Sequence, residues 1–287
     1  MDSITHTLFG LSLYGATKKE EKTKEYKRAL LFTTVVGSQI PDIDVISKLW
    51  DTEGLYQMWH RGITHSYFMA PIWSLILYLA CVWIWKTKDK KLFFIGLLSV
   101  FIHDTSDIFN AWGTGVLEPL SQARVTFGVI PIVNLVFWLI MLAGFLTVKT
   151  LKKPSHRVFK WVWGLMAFHV LLQSVIGYHL YQTVKQEYEQ VALSADFVPF
   201  QFQAIGKNNG SVDIIQFDIW QKKSDVTTLS SDDQADLAPL FAQNPEAKTL
   251  VQWSPFVVVV NDEQRLGIYD PRFYRNGESF LYEYIEK

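Results

Sequence analysis

The sequence predicts a mainly α protein, a multi-pass helical membrane domain over residues 1–184 followed by a small α+β extracytoplasmic domain over residues 185–287. Three observations carry this expectation. Runs of apolar residues approach the roughly 20 residues that cross a bilayer. Ionisable side chains gather at the ends of those runs instead of along them. Beyond Lys185 the composition changes to short β-branched and aromatic runs separated by turn residues.

Residues 67–85, 129–148 and 158–181 are long enough and apolar enough to be spans. The shorter runs 30–40 and 92–102 each end in a cluster of polar side chains, which suits spans whose ends face a protein cavity. Residues 1–16 form a short, partly polar first segment with no basic leader and no cleavage pattern. Six spans result. Lys and Arg near span ends stay on the cytoplasmic side. They concentrate at Lys18 to Arg28, at Lys86 to Lys91 and at Lys149 to Lys160, while the alternate connections carry few. The expected arrangement is N-out and C-out in a cell membrane.

In the C-terminal part, residues 197–205 and 211–220 read as strands joined by Lys207-Asn208-Asn209-Gly210, whose Asn-Gly step suits a tight hairpin. Ser230-Ser231-Asp232-Asp233 offers caps for a helix over 237–242, and residues 249–260, 264–269 and 279–285 read as strands. The single Cys81 excludes an intrachain disulfide.

The most informative motif is His103-x-x-x-Asp107, since residues four apart on a helix lie one above the other and can offer nitrogen and oxygen to one metal. A structural hydrogen bond between the two is the alternative. His6 lies near the start of the first helix, where a capping role is the alternative. Asp42 and Asp44 follow Pro41. In an extended segment both carboxylates face one side; in a helix they diverge. His60 and His65 stand five apart around Gly62, so a loop delivers them separately, with Arg61 beside them. The loop charges bring all these residues to the outer side.

The blocks Asp2-Ser3-Ile4-Thr5-His6-Thr7, Gly37-Ser38-Gln39-Ile40-Pro41-Asp42-Ile43-Asp44, His60-Arg61-Gly62-Ile63-Thr64-His65-Ser66 and His103-Asp104-Thr105-Ser106-Asp107, then Trp112-Gly113-Thr114, resemble the YdjM/YfhP family of membrane-bound metal-dependent hydrolases. They are more distantly similar to the zinc-dependent phospholipase C and single-strand nuclease superfamily. The superfamily likeness implies His6, one of Asp42 and Asp44, His60, His103 and Asp107 as metal ligands, with Asp107 placed to bridge two ions; His65 joins the candidates from its own block, and the ions expected are one or two Zn2+ or another divalent metal.

The expected function is a zinc-dependent hydrolase of the outer membrane face acting on a phosphodiester or phosphoester; the alternative is a non-enzymatic membrane protein, a metal or ion transporter or a regulator with a structural metal site. In the hydrolase, whichever of Asp42 and Asp44 is not a ligand takes a proton from water, and Arg61 neutralises a phosphate oxygen. Membrane lipid and a phosphate-ester substrate, lipid-linked at such a location, are the expected partners. A net charge of −1 with the basic residues in the inner loops argues against a stable nucleic-acid partner, and the sequence has no His-Glu-x-x-His for an intramembrane metalloprotease.

Overall fold

A computed structural model describes residues 1–275 and 277–287. Helices fill the first part of the chain: α1 (Ser3–Ala16), α2 (Lys24–Gly37), α3 (Tyr56–Trp59), α4 (Ala70–Trp85), α5 (Lys91–Asp107), α6 (Leu135–Leu151) and α7 (Ser155–Val184). Short 3-10 helices cover Ile40–Leu49 and Ile63–His65. After α7 come β1 (Gln190–Ala195), β2 (Phe202–Asn208), β3 (Ser211–Phe217), β4 (Lys223–Ser230), α8 (Ala238–Gln243), α9 (Pro245–Trp253), β5 (Val258–Asn261), β6 (Arg265–Tyr269), β7 (Tyr274–Arg275), β8 (Glu278–Ser279) and β9 (Tyr282–Glu286). A helical N-terminal half and a smaller β-rich C-terminal domain are thus both present.

Two compact units result. One comprises Met1–Ile43, Arg61–Thr126 and Pro131–Leu172; the other comprises Asp44–His60, Phe127–Ile130 and Gln173–Lys287. In the first unit α2, α4 and α5 enclose Tyr26, Ala29, Leu30, Cys81 and Leu92. Side-chain caps set the helix starts: Asp2 accepts from the Ile4 and Thr5 amides, Thr23 from Tyr26, and Asn134 from Phe137. On α4, Ile72, Leu75, Ile76, Leu79 and Trp83 remain exposed, as do Leu135, Leu139, Leu142 and Leu146 on α6. Apolar stripes at that spacing, left open on helices with a packed opposite face, suit contact with lipid.

The expected count of six spans is corrected. Among the described residues one helix, α7, is long and apolar enough to cross a membrane, and up to three spans exist if each of two bent helix pairs counts as one. The physical reason is length. Helices of 14 to 17 residues, such as α1, α2, α4, α5 and α6, extend roughly 21–26 Å at about 1.5 Å per residue, short of the roughly 30 Å hydrocarbon core. The apolar run 30–40 is helical only to Gly37, where α2 ends, and the run 67–85 is α-helical only from Ala70.

In the second unit β1 to β4 form an antiparallel meander in sequence order, and β5, β6 and β9 form a three-stranded sheet. Ile205, Val212, Ile214, Leu229, Phe256, Val258 and Tyr269 pack between these strands. The Asn-Gly hairpin forms as expected: Asn208 pairs with Ser211 across a two-residue turn, and Gly210 takes φ +77°. Two local expectations fail. Ser231 and Asp233 do not cap α8. The Asp233 carboxylate accepts instead from Lys207 Nζ (2.8 Å), Ser231 Oγ (2.7 Å) and the Gly210 amide (3.2 Å), bracing the hairpin. Residues 249–260 are not one strand, because Asn244 caps and Pro245 starts α9, and only Val258–Asn261 pairs in a sheet.

Gly128 lies at φ +63°, and a Cβ there would fall 1.9 Å from the Leu193 carbonyl oxygen. Gly128→Ala is expected to destabilise the second unit by about 2 kcal/mol or more through combined overpacking and backbone strain. Thermal unfolding of the purified variant against the unsubstituted chain measures it; an unchanged midpoint contradicts this packing.

Candidate metal centre

Four elements of the first unit deliver the centre. Asp2 caps α1 and fixes His6 in its first turn, while Trp138 Nε1 of α6 donates to Thr5 Oγ1 at 2.8 Å. At the end of α2 the Ser38 carbonyl, which helical bonding leaves without a partner, accepts from His103 Nδ1 at 2.8 Å. Gln39 Nε2 donates to the Ser3 carbonyl (2.6 Å) and lies 2.9 Å from Thr7 Oγ1, tying α2 to α1. The 3-10 turn Ile63–His65 presents His65, whose Nδ1 lies 3.1 Å from Thr64 Oγ1.

The Ser38 bond decides the chemistry of His103. A carbonyl only accepts, so Nδ1 carries the proton and Nε2 presents a lone pair. That lone pair faces His65 Nε2 at 3.1 Å, with Asp42 Oδ1 at 3.7 Å and Asp107 Oδ2 at 3.8 Å. His65 Nε2 in turn lies 3.3 Å from Asp42 Oδ1 and 3.7 Å from Asp107 Oδ2. Four donors bound at about 2.0–2.1 Å around a tetrahedral ion are about 3.3–3.4 Å apart, close to these separations. Asp42, His65, His103 and Asp107 form the one group among the described residues able to hold a metal, their donor atoms all within 4.8 Å of one another. Two carboxylates and two imidazole nitrogens are the donor set of the zinc class. The residues fit the ion.

Asp107 faces two ways. Its Oδ2 meets His65, His103 and Arg61 Nε (3.2 Å), and its Oδ1 meets His6 Nε2 at 3.3 Å and the Met1 amino group. The His6 ring stacks on that of His103, with centroids 3.8 Å apart. His6 therefore borders the group through Asp107. His65, His103 and Asp107 are fully buried, and Asp42 keeps 16% of its side-chain surface exposed, so solvent reaches the donors from its side.

Asp42 and Asp44 diverge because Ile40–Leu49 is a 3-10 helix, in which residues two apart are about 240° apart around the axis. Asp44 pairs with His60, Oδ1 to Nδ1 at 2.9 Å, and Tyr56 stacks on that imidazole; all three belong to the second unit. Arg61, expected to neutralise a phosphate oxygen, lies inside a hydrogen-bonded network. Arg61 is 5% exposed, donates from Nη1 to Asn110 Oδ1 (3.1 Å) and from Nη2 to the Met1 carbonyl (3.2 Å), and holds Asp107 with Nε. It positions Asp107.

Sequence reasoning missed the residues around Arg61. Its carbonyl accepts from the Gly115 amide (2.8 Å) and Arg124 Nη1 (2.7 Å), which secures a backbone at φ +56°. Asn110 also escaped notice, since only its proximity to Arg61 distinguishes it. Asp104 is fully buried, with neither oxygen hydrogen-bonded among the described residues, and its sequence signal was its place in the His103 block.

The profile of the YdjM inner membrane protein family matches residues 1–181, a stretch that holds every member of the metal-binding group. The chain belongs to that family. It is accordingly a membrane protein. It is also similar to YfhP of Bacillus subtilis, an uncharacterized protein, with 34% identity over 134 residues, covering 45% of this chain and 41% of that one. The matched region thus spans about two fifths of that relative. No solved structure matches the chain.

Metal analysis of detergent-purified protein tests the ligand set. His103→Ala and Asp107→Ala are expected to lose the bound ion, whereas His60→Ala and Asp44→Ala keep it. Arg61→Ala is expected to weaken binding roughly 10- to 100-fold, the usual scale for a group that orients a ligand. An ion retained by both His103→Ala and Asp107→Ala removes the centre.

Proposed function

We propose that this YdjM-family protein is a metal-dependent hydrolase of a phosphodiester or phosphoester, with its centre at Asp42, His65, His103 and Asp107. The observation that carries the reading is the pair of imidazole Nε2 atoms aimed at each other across 3.1 Å between two carboxylates. That arrangement gathers two imidazole nitrogens and two carboxylates in one buried space, the donor set a divalent ion takes. Asp42, His65, His103 and Asp107 would hold a divalent ion, zinc being the reading their donors favour, and such an ion would supply positive charge to a phosphoester oxygen and lower the pKa of a water.

The protein residues do the rest. The Ser38 carbonyl holds His103 in the tautomer that leaves Nε2 free. Arg61 turns Asp107 and offsets part of the carboxylate charge. Asp42 is the donor on the solvent side, so substrate enters past it. His6, against Asp107 Oδ1, would be the residue to help hold a second ion beside the group.

A membrane location and exposed apolar helix faces favour a lipid-linked phosphate ester over a freely soluble one. The centre lies at the ends of α1, α2 and α5 opposite their basic flanks, Lys18 and Lys19, Lys24 to Arg28, and Lys86 to Lys91. That polarity favours an outer-face centre. Lys149, Lys152, Lys153, Arg157 and Lys160 flank the start of α7, which favours an extracytoplasmic C-terminal domain by the same rule.

One observation favours a second reading, a structural or transported ion. Four protein donors close a tetrahedron, and structural zinc sites are closed while catalytic ones keep a position open. Turnover separates the readings. Reconstituted protein is expected to hydrolyse a lipid phosphodiester or a generic aryl phosphodiester, to stop on chelation, to recover with added divalent ion, and to lose activity in His65→Ala. Bound ion without turnover on lipid, nucleotide and aryl esters supports the second reading and sinks the hydrolase.

A further inference from the structure

We propose that the loops β1–β2 and β3–β4 of the C-terminal domain form an apolar wedge that enters the lipid bilayer beside α7. The first loop exposes Phe197 (54%) and Val198 (47%), the second Ile219 (45%) and Trp220 (75%). Phe202 pairs with Phe217, which puts both loops at one end of the meander. Gln221 Nε2 donates to the Phe200 carbonyl at 2.7 Å and joins them.

The loops are built to present these side chains. Asp196 Oδ1 accepts from the Phe197 amide (2.6 Å), and Asp218 Oδ1 accepts from the Trp220 (2.8 Å) and Lys222 (2.9 Å) amides. Phe200 and Gln221 take φ +69° and +59°, a backbone region that costs non-glycine residues about 1–3 kcal/mol. Ordered turns that retain such strain while leaving Trp and Phe in the open point to a surface these residues meet.

The contacts with α7 identify that surface. The Phe200 amide donates to Gln173 Oε1 of α7 at 3.2 Å, and a Cβ on Gly177 would lie 3.5 Å from Phe202 Cε1. Gln173, Gly177, Leu180 and Val184 make the buried face of this part of α7, and Val175 and Tyr178 its exposed face. Gln173 stands eight residues before the end of the apolar stretch 158–181, about 12 Å along the axis. A loop anchored there reaches the headgroup–acyl boundary of any bilayer that α7 crosses, the depth of roughly 5–10 Å at which interfacial apolar groups bury. Trp is enriched at that boundary. The exposed Lys222 lies beside the second tip, where it suits anionic headgroups. The occupant is the lipid surface, and the wedge continues the apolar exposure of Val175 and Tyr178. The inference depends on α7 as a span and is independent of the metal reading.

Site-specific fluorescence tests it on the full chain. Single cysteines replace Val198, Trp220 and, in the β2–β3 turn at the other end of the sheet, Asn209. Cys81 is fully buried, and the unsubstituted chain supplies the labelling background. Each protein carries an environment-sensitive fluorophore and is reconstituted at low density into phosphatidylcholine/phosphatidylglycerol vesicles. Labels at Val198→Cys and Trp220→Cys are expected to shift to the blue, to lose fluorescence to nitroxides on the acyl chains and to resist aqueous iodide, while Asn209→Cys behaves oppositely. Iodide quenching at both tips equal to that at Asn209→Cys, without acyl-chain quenching, overturns the proposal. Self-quenching at the tips that rises with protein density assigns the patch to a second copy and overturns it as well.

Discussion

The hydrogen bond from His103 Nδ1 to the Ser38 carbonyl is the constraint on which the rest of the centre depends. It satisfies an orphan carbonyl at the end of α2 and fixes the tautomer of a fully buried imidazole. It also couples two helices. Because α5 is held to α2 in this way, the residue one turn on, Asp107, falls beside the Ile63–His65 turn, and His65 and Asp42 complete the group. The geometry gathers two carboxylates and two imidazole nitrogens into a group that could hold a cation.

Much of the centre was legible because helical spacing is regular. His103 and Asp107 are one turn apart in any α-helix, and no tertiary information was required to align them. The choice between Asp42 and Asp44 was not legible, since it depends on whether the chain after Pro41 is extended or helical. The 3-10 turn there sends Asp42 to His65 and Asp44 to His60. The same turn explains why His60 and His65, five residues apart, have different partners. The burial of Arg61 was not legible for a related reason: a charged residue in a polar loop reads as exposed, and the segment from Asn110 to Arg124 encloses it.

The spans illustrate a different limit. Hydropathy finds apolar runs, but it does not measure the length of helix that a run becomes. Residues 30–40 contribute only the end of α2 before Pro41 redirects the chain, and residues 92–102 belong to a helix whose last turn carries three buried ionisable side chains. In the C-terminal domain, alternation and turn residues located the hairpin and the final strands correctly. Pro245 was the overlooked signal that converted the start of an expected strand into α9.

Backbone strain distinguishes the places where the chain departs from local preference. Five residues other than glycine have positive φ among the described residues: Arg61, Lys86, Lys152, Phe200 and Gln221. Lys86 and Lys152 end α4 and α6, where a left-handed residue is the ordinary way to stop a helix. The other three end no helix. Arg61 is held in that conformation by contacts to its own carbonyl and orients a donor of the metal group, while Phe200 and Gln221 are bonded to each other beneath exposed aromatic tips. A fold retains local strain only where surrounding contacts over-determine it, and such positions cluster at sites with a task beyond stability. In this chain they divide between the centre and the loops against α7, so the two proposals rest on separate strained segments, one in each compact unit.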